Sequence, residues 1–153
     1  MSAVEDRLAG LGLSVPDVAP PVAAYVPAVR TGNYIFTSGQ LPLRDGQMLL
    51  TGKVGGEVSS EEAADCAKQC ALNAIAAVKA ELGDLDKVVR VVKAVVFVAS
   101  TPDFTGQPVV ANGASELFGA AFGEAGKHAR SAVGVPVLPL DSPVEVELIV
   151  EVG

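Results

Sequence analysis

Periodic apolar positions divide the chain into short strands, two long helices and an N-terminal helix. Runs rich in β-branched and aromatic residues predict strands over residues 25–30, 34–38, 88–99, 130–138 and 144–152. Apolar residues at helical spacing predict helices over residues 2–12, 59–83 and 108–122. The proline-rich residues 15–27 are predicted to be largely extended.

The two long helices have different inward faces. In "SSEE", Ser59 and Glu62 match a capping box, and Gly83 ends the helix that begins there. Its inward side chains are short, which allows close packing on a sheet: Ala63, Ala67, Cys70, Ala74 and Val78. The second helix ends at Gly123 and turns larger side chains inward: Leu117, Phe118, Ala121 and Phe122.

The order β-β-α-β-α-β-β after the N-terminal helix predicts an α+β fold. Its mixed sheet would carry both long helices on one face. The other sheet face would then be uncovered. Because a face rich in Val and Leu would aggregate in water, the pattern also predicts a homo-oligomer.

Composition narrows the class of protein. A length of 153 residues suits one domain, and half of the residues are apolar. The net charge is −7 and the basic residues are scattered singly, which argues against a nucleic acid partner. The sequence has no apolar run of membrane-spanning length and no secretory signal pattern, so we expect a cytoplasmic protein without a membrane partner.

The two cysteines are predicted to be small buried apolar side chains. Cys66 and Cys70 lie four residues apart on one helix face, where disulfide geometry is rare. A metal site would need two further ligands, and His128 is the only histidine. We therefore expect neither a disulfide nor a metal.

Arg130 stands at the head of an otherwise apolar strand. By alternation it shares a face with Ala132, Gly134 and Pro136, which leaves space around the guanidinium. A partly buried positive charge needs an anionic partner, either a carboxylate of the protein or a ligand. If the last two strands formed a plain hairpin, Glu145 would lie roughly 24 Å from Arg130. Spacing alone leaves three possibilities: the strands are not neighbours, the two residues meet through assembly, or they do not meet.

Several segments carry a family resemblance. "YVPAVRTGN", "TSGQLPL", "NGASELF" and "ARSAVGVPVLPLDSPVEVELI" occur in the order typical of the RidA (YjgF) family of enamine and imine deaminases, which the chain resembles from residue 25 to residue 152. The N-terminal helix is similar to the extension found in a longer branch of that family. The expected organisation is a helical extension over residues 1–16 and one RidA-like domain over residues 17–153.

The resemblance implies a chorismate-mutase-like fold, assembled as a homotrimer with clefts between subunits. In that fold the last strand inserts between earlier strands. The family's carboxylate-binding arginine falls on Arg130, and its water-positioning glutamate falls on Glu145. The remaining expected site residues are the cleft tyrosine Tyr25, the substrate-side Ser38 and Gly39, and Asn112, contributed by the neighbouring subunit.

The implied chemistry is hydrolytic deamination. Arg130 would hold the carboxylate of a 2-imino acid through paired N–H bonds. Glu145 would activate a water that attacks the C=N carbon, with Tyr25 as a polar relay, and ammonia and a 2-keto acid would result. Imine hydrolysis proceeds in water, so no cofactor is expected.

Two residues depart from the family pattern, and simpler roles remain open. Ala132 stands where cysteine is common, which concerns substrate range more than reaction type. His128 stands where proline is common and could be either a residue at the rim of the pocket or a solvated histidine at the strand end. Arg130 could instead be salt-bridged across an interface, Glu145 could face solvent, and Asn112 could cap a turn. The competing functions are a protein that only binds a carboxylate metabolite and, less favoured by the acidic charge, a ribonuclease.

Overall fold

The structure is a computed structural model that describes residues 1–18 and 23–153. The middle of the predicted extended segment, residues 19–22, lies outside the described residues. The helices are α1 (Ala3–Gly10), α2 (Ser60–Leu82) and α3 (Gln107–Phe122). The strands are β1 (Ala28–Thr31), β2 (Tyr34–Thr37), β3 (Leu43–Arg44), β4 (Gln47–Met48), β5 (Val88–Ala99), β6 (Ala129–Val135) and β7 (Val144–Val152).

Five strands form one mixed sheet in the order β1-β2-β7-β5-β6. β7 pairs antiparallel with both β2 and β5, whereas β5 and β6 are parallel. The predicted α+β fold is confirmed. The last strand is inserted between earlier ones, so β6 and β7 are not a hairpin.

Both long helices cover one face of this sheet. The side chains of β7 alternate, and Val144, Val146, Leu148 and Val150 are buried on the helix side. α2 and α3 pack closely because α3 carries a glycine at their contact: a Cβ at Gly113 would lie 2.0 Å from the Ala64 carbonyl oxygen. The capping box predicted at the start of α2 is present.

The opposite face of the sheet is not covered by a described helix. Glu145, Glu147, Ile149 and Glu151 point to this face and are half-buried. Apolar side chains of neighbouring strands are partly exposed: Val29 by 52%, Phe36 by 43% and Val133 by 43%. This is the bare face that the element order predicted.

The N-terminal helix α1 is docked against the rest of the chain. Leu8 is fully buried. The backbone N–H groups of Ala3 and Val4 donate to the Asp86 carboxylate at 2.9 and 3.3 Å. Arg7 Nη1 donates to the Ala121 carbonyl at 2.8 Å, at the C-terminal end of α3. α1 therefore shares the core of the domain.

Three details differ from the sequence prediction. β1 begins at Ala28 rather than residue 25, and β6 ends at Val135 rather than residue 138, because Pro27 and Pro136 have no N–H to donate. The β3–β4 hairpin was missed. Its two-residue turn is Asp45–Gly46, both at positive φ, a turn that Asp-Gly favours.

Both cysteines are free and buried, as predicted. Burial raises the pKa of the Cys66 thiol to about 11 and the pKa of Cys70 well above its ordinary value. Such thiols stay protonated and behave as small apolar side chains. None of the helices in the described residues combines the length and apolar content needed to cross a membrane.

Candidate functional site

Glu145 lies at the start of β7, on the uncovered face of the sheet. It is opposite Phe97 of β5 and is half-buried. The loop after β2 passes directly beneath its carboxylate: a Cβ at Gly39 would lie 2.0 Å from Glu145 Oε1. Only glycine at position 39 therefore allows this carboxylate to lie against the backbone.

The environment of Glu145 favours its protonated form. Desolvation is the main cause that raises the pKa of this carboxyl, and the negative charge of nearby Glu147 raises it further. A raised pKa makes the ionised carboxylate a stronger base. Glu145 is thus suited to accept a proton from a water molecule.

Ser38 and Gly39 are held beside β7 by backbone bonds. Gln40 exchanges two bonds with Val146, at 2.8 and 3.0 Å. Ser38 donates from its hydroxyl to the Val26 carbonyl at 2.7 Å and from its N–H to the Pro27 carbonyl at 2.8 Å.

Tyr25 comes immediately before this anchored segment, outside the strand that was predicted to contain it, and its side chain is 57% exposed. Four of the predicted site residues thus belong to one region, which we call the acidic half-site: Tyr25, Ser38, Gly39 and Glu145.

Arg130 lies near the start of the edge strand β6, on the helix side of the sheet. Its Nη1 donates to Asn112 Oδ1 at 2.8 Å and to Ser115 Oγ at 3.3 Å, both on α3. The resemblance assigned Asn112 to a neighbouring subunit, and in this chain Asn112 contacts the chain's own Arg130. The two residues therefore belong to the same half of any shared site.

The arginine has only neutral partners. The salt bridges found across residues 1–18 and 23–153 are Lys53–Asp141, Lys79–Glu5 and Lys127–Glu124, and none includes Arg130. Its contacts in that part of the chain both use Nη1, so Nη2 and Nε remain for a ligand. Within residues 1–18 and 23–153, no protein carboxylate forms a salt bridge with Arg130.

Ser115 and His128 complete the surroundings of Arg130. His128 Nε2 lies 2.9 Å from Ser115 Oγ, and Nδ1 lies 2.6 Å from the Gly126 carbonyl oxygen. The sequence analysis missed Ser115, although it lies three residues after Asn112 and hence on the same helix face. We call the group Asn112, Ser115, His128 and Arg130 the basic half-site.

The two half-sites are on opposite faces of the sheet. Glu145 pairs with Phe97, and Phe97 pairs with Val133 of β6, so these three side chains share the uncovered face. Arg130 precedes Val133 by three residues, and this odd spacing turns its side chain to the helix side. One chain therefore does not bring Arg130 and Glu145 together.

Two open grooves border the basic half-site. One, of about 530 Å³, includes His128, and another, of about 490 Å³, lies between α2 and α3 and includes Asn112. Across the part of the chain that the structure describes, no three His, Cys, Asp or Glu side chains converge as a metal site would require.

The chain is similar to known proteins over nearly its whole length. A family model described as "YjgF/chorismate mutase-like, putative endoribonuclease" matches residues 5–152. Protein TCP17 of Trypanosoma cruzi is 46% identical over 151 residues, 98% of this chain and 94% of that protein. A 2-iminobutanoate/2-iminopropanoate deaminase of Dermatophagoides farinae is 32% identical over 140 residues, 90% and 93% of the two chains.

Solved structures agree with the fold. The protein Atu1372 of Agrobacterium tumefaciens, whose function is unknown, superposes with a TM-score of 0.93 at 45% identity, over 99% of this chain and 93% of that one. TdcF of E. coli with bound serine has a TM-score of 0.66 at 26% identity, over 89% and 94%.

Proposed function

The chain belongs to the YjgF/chorismate mutase-like family, and from this premise we propose that it hydrolyses 2-enamine and 2-imine acids, such as 2-aminoacrylate, to 2-keto acids and ammonia. The observation that carries the proposal is Arg130, an exposed guanidinium whose partners in the described chain are neutral oxygens. Such a group is suited to bind a carboxylate brought by a substrate.

Carboxylate binding would use the free edge of the guanidinium. Nη2 and Nε can donate two parallel bonds to one carboxylate, a geometry that lysine cannot reproduce. The imine carbon is bonded to the carboxylate carbon, so this clamp places it at a defined position. TdcF, a structural neighbour, is known with bound serine, an amino acid that carries the same carboxylate.

Glu145 supports the hydrolytic step. Its carboxylate accepts a proton from water while the water oxygen bonds to the imine carbon, and the carboxyl group then returns this proton to the imine nitrogen, which restores the carboxylate. The resulting carbinolamine transfers its hydroxyl proton to nitrogen, the C–N bond breaks, and ammonia leaves with the 2-keto acid. Tyr25 and Ser38 of the acidic half-site carry hydroxyl groups that could relay protons in this scheme, which uses no cofactor.

The active unit in this proposal is a homotrimer. Arg130 and Glu145 lie on opposite faces of one sheet, so a complete site needs the basic half-site of one copy and the acidic half-site of another. The exposed apolar residues of the uncovered sheet face, Val29, Phe36 and Val133, support burial against other copies. Each cleft would lie between two subunits.

A second candidate is carboxylate binding without turnover. Arg130 would bind a 2-keto acid whether or not water is activated, and Ala132 stands where the family commonly has cysteine. Ribonuclease activity is less favoured, because RNA cleavage by imidazoles needs an acid and a base and this chain has one histidine.

One set of measurements separates these candidates. A dehydratase generates the imine in place, and 2-keto acid formation is followed with and without the protein, while calorimetry measures binding of a 2-keto acid. We expect acceleration by the native protein, loss of both activity and binding in Arg130→Ala, and loss of activity alone in Glu145→Gln. Binding without acceleration by the native protein would contradict the enzymatic proposal.

A further inference from the structure

A directed series of hydrogen bonds runs from the protein interior to the Arg130 guanidinium. The Gly126 carbonyl can only accept, so His128 Nδ1 carries the hydrogen of the 2.6 Å bond. In the neutral ring Nε2 is then the acceptor, and the Ser115 hydroxyl donates to it at 2.9 Å. The lone pairs of Ser115 Oγ are left to accept from Arg130 Nη1 at 3.3 Å.

The inner end of this series is rigid. The His128 ring meets Phe118, which is fully buried, edge to face with 5.6 Å between ring centroids. Gly126 passes so close to α3 that a Cβ there would lie 2.3 Å from the Phe118 carbonyl oxygen. The carbonyl that sets the histidine tautomer is therefore held by close backbone packing.

The outer end is an exposed side chain. Arg130 forms no salt bridge in residues 1–18 and 23–153, and arginine has many rotamers. Asn112 and Ser115 engage a single nitrogen, Nη1, which turns the opposite edge of the guanidinium outward. The direction of that edge depends on the hydroxyl of Ser115, and hence on His128.

We infer that His128 and Ser115 are positioning residues for Arg130: they orient the guanidinium so that Nη2 and Nε meet a substrate carboxylate. This inference rests on the proposed function of Arg130.

The inference predicts a specific kinetic effect. The carboxylate is unchanged between substrate and transition state, so poorer orientation of Arg130 mainly weakens the binding of both states and raises KM much more than it lowers kcat. His128→Phe keeps an aromatic ring against Phe118 but removes both bonds, and Ser115→Ala removes the middle link. We expect each variant to raise KM about tenfold, with kcat within about threefold of the native value.

Two further variants test the mechanism. In His128→Gln the amide oxygen can accept from Ser115 in place of Nε2, so KM should return to within about threefold of native. The double variant His128→Phe with Ser115→Ala should be no worse than either single one, because both break the same series. Lys127→Ala is the control: it removes the adjacent exposed charge, which pairs with Glu124, and should leave KM unchanged.

A measurement on the ring itself does not depend on activity. His128 is the only histidine, so ¹⁵N NMR of the neutral ring gives one unambiguous pair of signals. We expect the Nδ1-protonated tautomer, with a shift of Nε2 in Ser115→Ala. An Nε2-protonated ring, or additive KM effects in the double variant, would overturn the inference.

The same variants can be titrated with a 2-keto acid, where Kd replaces KM. A native protein that neither binds nor turns over the carboxylate contradicts the proposed function. Arg130-dependent binding that His128→Phe and Ser115→Ala leave unchanged contradicts only the positioning role.

Discussion

At the scale of single residues, the proposed function depends on two charged side chains, Arg130 and Glu145, which lie in different environments. Arg130 is exposed and held by neutral oxygens, so its charge is available to an anion. Glu145 is half-buried beside Gly39, and desolvation raises the pKa of its carboxyl. One group suits binding and the other proton transfer.

The raised pKa of Glu145 has a consequence for stability. Because the pKa is higher in the folded state, the folded protein binds this proton more tightly than the unfolded chain does. The resulting contribution to the free energy of unfolding is present at acidic pH and is lost as the pH rises through the folded pKa. We expect Glu145→Gln to be more stable than the native protein at neutral pH, with the difference vanishing below pH ~4. Urea unfolding at a series of pH values and fixed protein concentration measures this.

Asp103→Asn, at an exposed loop carboxylate, serves as the control and should show no comparable pH-dependent gain. A Glu145→Gln variant less stable than the native protein at neutral pH would mean that favourable contacts of the carboxylate outweigh its desolvation.

At the scale of elements, β7 and α1 position the two half-sites in different ways. β7 occupies the middle of the sheet and presents Glu145 beside the loop after β2. α1 is bound at its N-terminus by Asp86 and through Arg7 to the end of α3, whose other residues hold Arg130. The predicted helical extension is thus packed against the helix that supports the basic half-site.

The packing of α1 predicts that substitutions of two leucines, one in this helix and one just after it, lower the stability of the protein by different amounts. Leu8 is fully buried, so Leu8→Ala should lower the free energy of unfolding by about 2–5 kcal/mol. Leu11→Ala is the matched control, since that side chain is 54% exposed and should cost less than about 1 kcal/mol. Chemical denaturation gives both values, and equal losses would contradict the docking of α1.

At the scale of the whole molecule, the proposed site exists only between copies. The sheet separates the basic half-site from the acidic half-site, and its uncovered face exposes apolar side chains. Assembly would bury that face and complete the clefts in the same step. Light scattering should give three times the 15.5 kDa chain mass.

Mixing two inactive variants tests the shared site directly. In trimers co-assembled from equal amounts of Arg130→Ala and Glu145→Gln chains, each cleft draws its arginine and its glutamate from different copies. In random assembly, about half of the clefts receive an intact Arg130 and, independently, about half receive an intact Glu145. About a quarter of the clefts are then complete, so we expect about a quarter of the native activity. Each variant assembled alone is the control, and a mixture as inactive as these would contradict a site between subunits.

Local patterns were sufficient for the three α-helices and the five strands of the main sheet, although not for the short β3–β4 hairpin, and the quoted motifs were sufficient for the family. The period of two along residues 144–152 assigned Glu145 and Ile149 to one face and Val146 and Leu148 to the other, because side-chain direction in a strand follows from backbone geometry. The capping box at Ser59 and the buried character of Cys66 were equally predictable, since both depend on neighbours in one helix. The quoted motifs predict Arg130, Glu145 and Ser38 as site residues through resemblance to the family, and that assignment stays a prediction.

Only the tertiary structure decided which distant residues meet. The insertion of β7 between β2 and β5, the contact of Asn112 and Ser115 with Arg130, and the position of Glu145 over Gly39 join segments far apart in the chain. The same strands could be arranged in many ways, and long-range packing selects one arrangement. A local hydrophobic period does not specify which distant strands become neighbours. The sequence by itself therefore determined the long helices, the five strands of the main sheet and the family, because these follow from local patterns and motifs. The packed sheet decided that Arg130 and Glu145 face opposite sides, because that depends on which distant strands become neighbours.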